Sequence, residues 1–238
     1  MIVLGIESSA AVSSVCLTED EKPLAIFSLY STREHSVSLL PMIEETLEKC
    51  GKALCDVDLL CASDGPGSFT GIRIGISTVK GLAFSSDIPC VGVSSLESMA
   101  YLFSGVSGYV LPLLDARRGT VYSSLFRTDG EGNVKRLTDD AIFSISDLPG
   151  LLPEGRIFLT GDAVEAAKAV IPPDRISPSP ALLKGPSAYG VALCGLHKYL
   201  GLSEKERDAA KGGDGISPLY LRKTLPERLR EEKVTNEK

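Results

Sequence analysis

Histidine is the scarcest chemistry in this chain. There are two, His35 and His197, with no H-x-x-x-H or H-E-x-x-H spacing, which argues against a histidine-built zinc or iron site. A serine triad would have to recruit one of the same two residues, and no G-x-S-x-G occurs to seat its nucleophile. The six cysteines, Cys16, Cys50, Cys55, Cys61, Cys90 and Cys194, contain no C-x-x-C pair and sit mostly in apolar contexts. That pattern suits reduced, buried thiols better than disulfides or a zinc site. No apolar run approaches the roughly 18 residues needed to span a bilayer. The first residues also lack a basic region followed by an apolar signal core, so a cytoplasmic protein without a membrane partner is expected. Basic charge is short as well. Lys and Arg total 25 against 31 Asp and Glu, a net charge of −6, and no basic cluster precedes the short tail. Unaided nucleic-acid binding needs such a cluster to neutralise phosphates, so any RNA would be held mainly by something else.

With 238 residues, 43% hydrophobic and 24% charged, the chain has the make-up of an ordinary globular protein of one large or two small domains. Its centre is D-G-P-G-S-F-T-G-I-R-I-G-I-S-T-V-K-G-L-A-F, Asp64 to Phe84. The apolar run 59–63 before it reads as a buried strand, Gly65-Pro66-Gly67 as a turn, and the remainder as a helix. A glycine turn feeding a helix N-terminus suits phosphate binding. However, G-x-x-x-x-G-K-[ST] is not matched, and a structural turn is the better reading. At a period of 3.6, Ile72, Ile76, Val79 and Ala83 form a core stripe. The other side carries Thr70, Ile74, Ser77, Thr78 and Gly81, with charge only at Arg73 and Lys80. A helix without a broad charged face is normally covered on more than one side. Gly71 and Gly75 leave a groove for a close backbone, supplied either by this chain's own packing or by a second chain.

Strands are expected at 3–7, 12–18 and 24–30. A helix follows from His35 to Cys50, with Leu39, Leu40, Met42, Ile43 and Leu47 on one side and Glu44, Glu45 and Glu48 on the other. The 59–63 strand, the central helix, a strand at 88–93 and a helix from Ser94-Ser95 complete a first lobe, 1–106. A second lobe, 107–222, restarts with strands at 110–114, 121–127 and 134–137. It continues with a strand at 157–160, a helix at 163–170 and a final helix at 188–200, for which packing on the first lobe is the alternative. A charged tail, 223–238, ends the chain. The repeated three-strand opening points to an internal duplication with a cleft between the lobes. Glu7, Ser8, Ser9 and Asp115 at first-strand ends, with Gly161 and Asp162, would face a nucleotide's phosphates and magnesium there.

Several stretches then resemble one known family, TsaB (YeaZ). They are G-P-G-S-F-T-G-I-R-I-G (65–75), Lys80 to Ala83, I-E-S-S (6–9), His35-Ser36 with Leu39-Leu40-Pro41, G-V-S-S-L-E (92–97), Asp115-Ala116-Arg117, and Pro218 with Tyr220-Leu221-Arg222. The resemblance implies a two-lobed α/β fold of the actin-like, Hsp70-like ATPase type, a ribonuclease H-like duplication. It implies a non-catalytic dimerisation subunit in making N6-threonylcarbamoyladenosine at position 37 of tRNAs that read codons beginning with A. Its partners would be a TsaD-like catalytic subunit, a TsaE-like ATPase and, in isolation, a second copy, with tRNA met only through the complex. Pairing would use His35, Leu39, Leu40, Ile43 and Leu47 from one helix. The other helix would contribute Thr70, Gly71, Arg73, Ile74, Gly75, Ser77, Thr78 and Gly81. TsaD-like relatives carry metal-binding histidines in N-H-L-E-G-H, where this chain has S-S-L-E-S-M (94–99), and serine and methionine replace imidazole poorly. No metal is therefore expected. Ala11 stands where those relatives have an acidic residue, so no tightly bound cofactor is expected either: ATP is used by the complex, with at most weak nucleotide binding at the subunit boundary. The alternative is a free-standing ATP-dependent kinase or metallopeptidase of the same fold.

Overall fold

The computed structural model describes residues 1–30, 35–179 and 185–222; the expected tail, 223–238, lies outside them. Alternation decides the first sheet. In β1 (Ile2–Glu7) every residue is buried. Ile2, Leu4 and Ile6 join one core and Val3 another, as in a central strand covered on both faces. β2 (Val12–Glu19) and β3 (Lys22–Tyr30) continue as an antiparallel meander. β4 (Leu59–Gly65) and β5 (Cys90–Ser94) lie parallel on the other side, giving the order β3-β2-β1-β4-β5. Two helices, α1 (His35–Lys49) and α2 (Phe69–Ser86), cover the Leu4 face through Leu39, Ile43, Ile72, Ile76 and Val79.

Between the sheets lies α3 (Ser95–Tyr101), whose Leu96, Met99 and Ala100 pack against Val110, Leu114 and Phe126 of the second lobe. The second sheet is built on β6 (Ser107–Arg117), flanked by β7 (Thr120–Ser123) and β8 (Phe126–Asp129) on one edge. β9 (Val134–Arg136) pairs with β8 and β10 (Ala141–Ser144) with β7. On the other edge lie β11 (Ile157–Thr160) and β12 (Ile176–Ser177). The single strand expected at 121–127 is thus two. The register sets Leu113 against Ser123 and Val110 against Phe126, so the break falls opposite Pro112, which has no N–H to complete a ladder. The helix expected at 163–170 shrinks to α4 (Val164–Ala167). The last long helix, α5 (Ala188–Leu200), returns to the first lobe, with Val191, Ala192 and Leu196 on Val3, Cys61 and Val91. A short α6 (Glu204–Ala209) follows. Among the described residues no helix is long and apolar enough to cross a membrane.

Candidate functional site

The two lobes meet at a cleft of about 840 Å³, lined by Ser9, Ala10, Ala11 and His35, the start of α2, Asp115, Arg117, Asp162 and Arg222. Of the six residues expected to face phosphates, three do not reach it. Glu7 is fully buried and accepts from the Ser9 amide (2.5 Å), the Ser9 hydroxyl (2.6 Å) and the Ser63 hydroxyl. Burial holds its pKa above the usual carboxylate range despite those donors and the nearby His35. Ser8 is buried and its hydroxyl donates to the Gly71 carbonyl at 2.8 Å. Gly161 packs on the β6 backbone at Leu113. Ser9, Asp115 and Asp162 remain on the cleft wall. There the Asp115 amide donates to Asp162 Oδ1 (2.8 Å), and the Arg117 amide donates to Asp115 Oδ1 (2.8 Å). With Glu7 enclosed by three donors and Ser8 turned inward, only Ser9, Asp115 and Asp162 of this set are left to meet a nucleotide's phosphates or magnesium.

The glycine groove of α2 is filled from within. A side chain at Gly71 would lie 1.9 Å from the Ser8 carbonyl oxygen, and one at Gly75 would lie 2.4 Å from the Ser8 hydroxyl. The close backbone is therefore the chain's own β1–β2 loop, not a second chain. Gly71 and Gly75 leave the expected pairing surface for this reason, and a bulky residue at Gly75 would damage the fold itself. Leu39, Ile43 and Leu47 are likewise buried in the first core. His35 is half-buried, with Nδ1 bonded to the Ser13 hydroxyl and Nε2 2.9 Å from the Ala10 carbonyl, so it ties α1 to the β1–β2 loop.

What remains outside is a coherent face. On α2, Thr70, Arg73, Ser77 and Gly81 are exposed and Ile74 and Thr78 half-buried, all on one side of the helix by the 3.6 period. Phe84 extends this stripe at 83% exposure, and α1 adds Val37 at 69% and Leu40 at 49%. Sequence reasoning missed Val37 and Phe84, although each lies three residues from a residue it named, Leu40 and Gly81. Large apolar side chains this exposed on two neighbouring helices mark a contact surface more than a solvated one.

At the carboxyl ends of the parallel strands β1, β4 and β5, Ser95 and Met99 are fully buried. The Ser95 hydroxyl donates to Ser9 (3.0 Å), and Met99 lies in the inter-lobe core. Beside them, Arg136 bridges Glu97 at 2.7 Å and Asp140, and the Ser94 hydroxyl donates to Asp140 (2.5 Å). Asp64 faces the same cavity, with its Oδ1 buried and without a hydrogen-bond partner among the described residues. Burial raises its pKa from 3.8 to about 6, opposed by Lys198 and reinforced by Asp140 and Glu97.

The model of the family TsaD, tRNA N6-adenosine threonylcarbamoyltransferase, matches residues 29–223. The tRNA threonylcarbamoyladenosine biosynthesis protein TsaB of Bacillus subtilis is 34% identical over 154 residues, 65% of this chain and 67% of that protein. Its Escherichia coli namesake is 40% identical over 134 residues, 56% of this chain and 58% of the relative. The sequence alignments thus span about three fifths of those relatives' lengths. A solved Pseudomonas aeruginosa protein, described as similar to peptidase YEAZ, superposes with a TM-score of 0.75 at 26% identity. That likeness covers 93% of this chain and 99% of that one. An activator of 2-hydroxyisocaproyl-CoA dehydratase from Clostridium difficile, solved with bound ADPNP, shares the actin-like ATPase fold. Its TM-score is 0.50 at 10% identity, over 83% of this chain and 95% of that one.

Proposed function

Since the chain belongs to the TsaB (YeaZ) family of tRNA threonylcarbamoyladenosine biosynthesis proteins, we propose that it is the non-catalytic, dimerising subunit of the complex that installs this modification. It pairs through the outward faces of α1 and α2 with a TsaD-like catalytic subunit, or with a second copy when that subunit is absent. A TsaE-like ATPase and the tRNA are engaged through the complex, in the cytoplasm.

The observation that carries this reading is the exposure of three large apolar side chains on the two helices, Val37 and Leu40 on α1 and Phe84 on α2, with the charge of α2 confined to Arg73 and Lys80. An interface core is depleted of charge and rimmed by it, and this face has that composition. The non-catalytic assignment is supported by Ser95 and Met99, which stand where the sequence resemblance to TsaD-like proteins would put metal-binding histidines and which are fully buried here.

The test is co-purification with the TsaD-like subunit. Leu40→Asp and Phe84→Asp change exposed residues, so the lone chain keeps its melting temperature to within the effect of a surface substitution. Each variant loses the partner. Retention of the partner at parental stoichiometry by either variant overturns the proposal.

A further inference from the structure

Two sequence motifs far apart in the chain, the Gly65–Gly75 signature and Pro218 to Arg222, turn out to be halves of one device. The C-terminal stretch lies as a strap over the β4–α2 turn. The Leu219 amide donates to the Asp64 carbonyl at 2.8 Å. The fit needs glycine at position 65, where a side chain would come within 2.4 Å of the Leu219 carbonyl oxygen. Beyond it, Leu221 packs on the inter-lobe core and the Arg222 guanidinium donates to the Ala116 carbonyl. Tyr220 is thus held between two anchors. Its ring lies 4.7 Å from that of Phe69, tilted by 32°. Its hydroxyl accepts from Arg73 Nε at 2.7 Å, and the guanidinium carbon stands 5.5 Å from the ring centroid.

Arg73 is exposed on the α2 face and would otherwise sample many rotamers. With Nε engaged by Tyr220, its two terminal amino groups remain to donate as a fixed fork, the geometry that suits a carboxylate. An interface whose side chains are ordered beforehand loses less entropy on binding. We propose that Tyr220 is a positioning residue of the pairing surface, ordering Arg73 to grip a carboxylate on the partner helix. This rests on the α1–α2 reading of the preceding subsection.

The experiment measures affinity for the TsaD-like subunit, and self-association by sedimentation, for full-length Tyr220→Phe, Arg73→Ala, the double variant and Leu40→Asp. Tyr220→Phe keeps the ring and removes the hydroxyl. It is expected to weaken pairing by about three- to tenfold, with the melting temperature of the lone chain unchanged. The double variant is expected to pair no more weakly than Arg73→Ala alone, because the hydroxyl acts only through the arginine. A residue that merely holds the strap would lower the melting temperature and add its effect to that of Arg73→Ala. Additive losses, or Tyr220→Phe pairing at the parental affinity, overturn the proposal while Leu40→Asp still fails to pair. If Leu40→Asp pairs normally as well, the surface is misassigned and both readings fall.

Discussion

Replacing Asp64 by asparagine should make the protein more stable above neutrality, and the size of the gain can be worked out. Burial against α5 and α3 raises its carboxyl from 3.8 to about 6, only partly opposed by Lys198. The folded form therefore holds a proton through a window in which the unfolded chain has lost it. Stability contributed by this group is fully present below pH 3.8 and is lost as pH climbs through about 6. The loss is about 3 kcal/mol, at 1.36 kcal/mol per pKa unit. An amide cannot ionise, so Asp64→Asn escapes it. Denaturant unfolding at pH 4 should find the two proteins within about 1 kcal/mol of each other, since a neutral carboxyl and an amide are sterically alike. By pH 8 the variant should lead by about 2.5 kcal/mol relative to its standing at pH 4, where ionisation of the unfolded chain has already begun. For a chain of this size that corresponds to roughly 5–10 °C in melting temperature. Glu7 shifts in the same direction but is common to both proteins and cancels in the difference. A stability difference that does not vary between pH 4 and pH 8 would show that Asp64 is not buried in the way described.

Two further substitutions probe the loop that the glycines of α2 receive. Gly71→Ala forces a methyl to within 1.9 Å of the Ser8 carbonyl oxygen and should cost about 3 kcal/mol in urea unfolding, the upper end of ordinary overpacking; an unchanged midpoint would mean that Ser8 lies elsewhere. Glu7→Gln sets an amide donor among the Ser9 and Ser63 donors and should cost about 1–3 kcal/mol, whereas a stability equal to the parent at pH 7 would refute the triple acceptor role.

How much of this was legible in the sequence depended on whether the signal was local. β11 and α5 begin and end where the sequence reading puts them, because each is a compact apolar run: β11 is buried or half-buried throughout and α5 is buried without a break from Gly190 to Leu196. The 121–127 strand was misread because its break answers to Pro112 on the neighbouring strand, which only the register reveals. The same limit governed the pairing surface. The spacing of Gly71 and Gly75 announces that some backbone comes close, but Ser8 lies 63 positions from Gly71, and nothing local names it. The apolar residues of α1 divide in the structure. Leu39, Ile43 and Leu47 proved to be the inward part and Val37 and Leu40 the outward part, a division set by where β2 and β3 lie beneath. For Glu7, the strand-end position suggested a ligand contact; its actual occupation by Ser63 follows from the β1–β4 pairing.

The return of α5 to the first sheet has a bearing on biosynthesis. Val3, Leu59, Cys61, Val91 and Val93 receive their cover from residues beyond 190, so a nascent chain that has just released β5 from the ribosome carries a sheet bare on one side. That sheet stays unfinished while the entire second lobe is translated, several seconds at roughly 5–20 residues per second. A 1–106 fragment would be left permanently in this half-clad condition, prone to clump through its naked strands rather than behave as an autonomous unit.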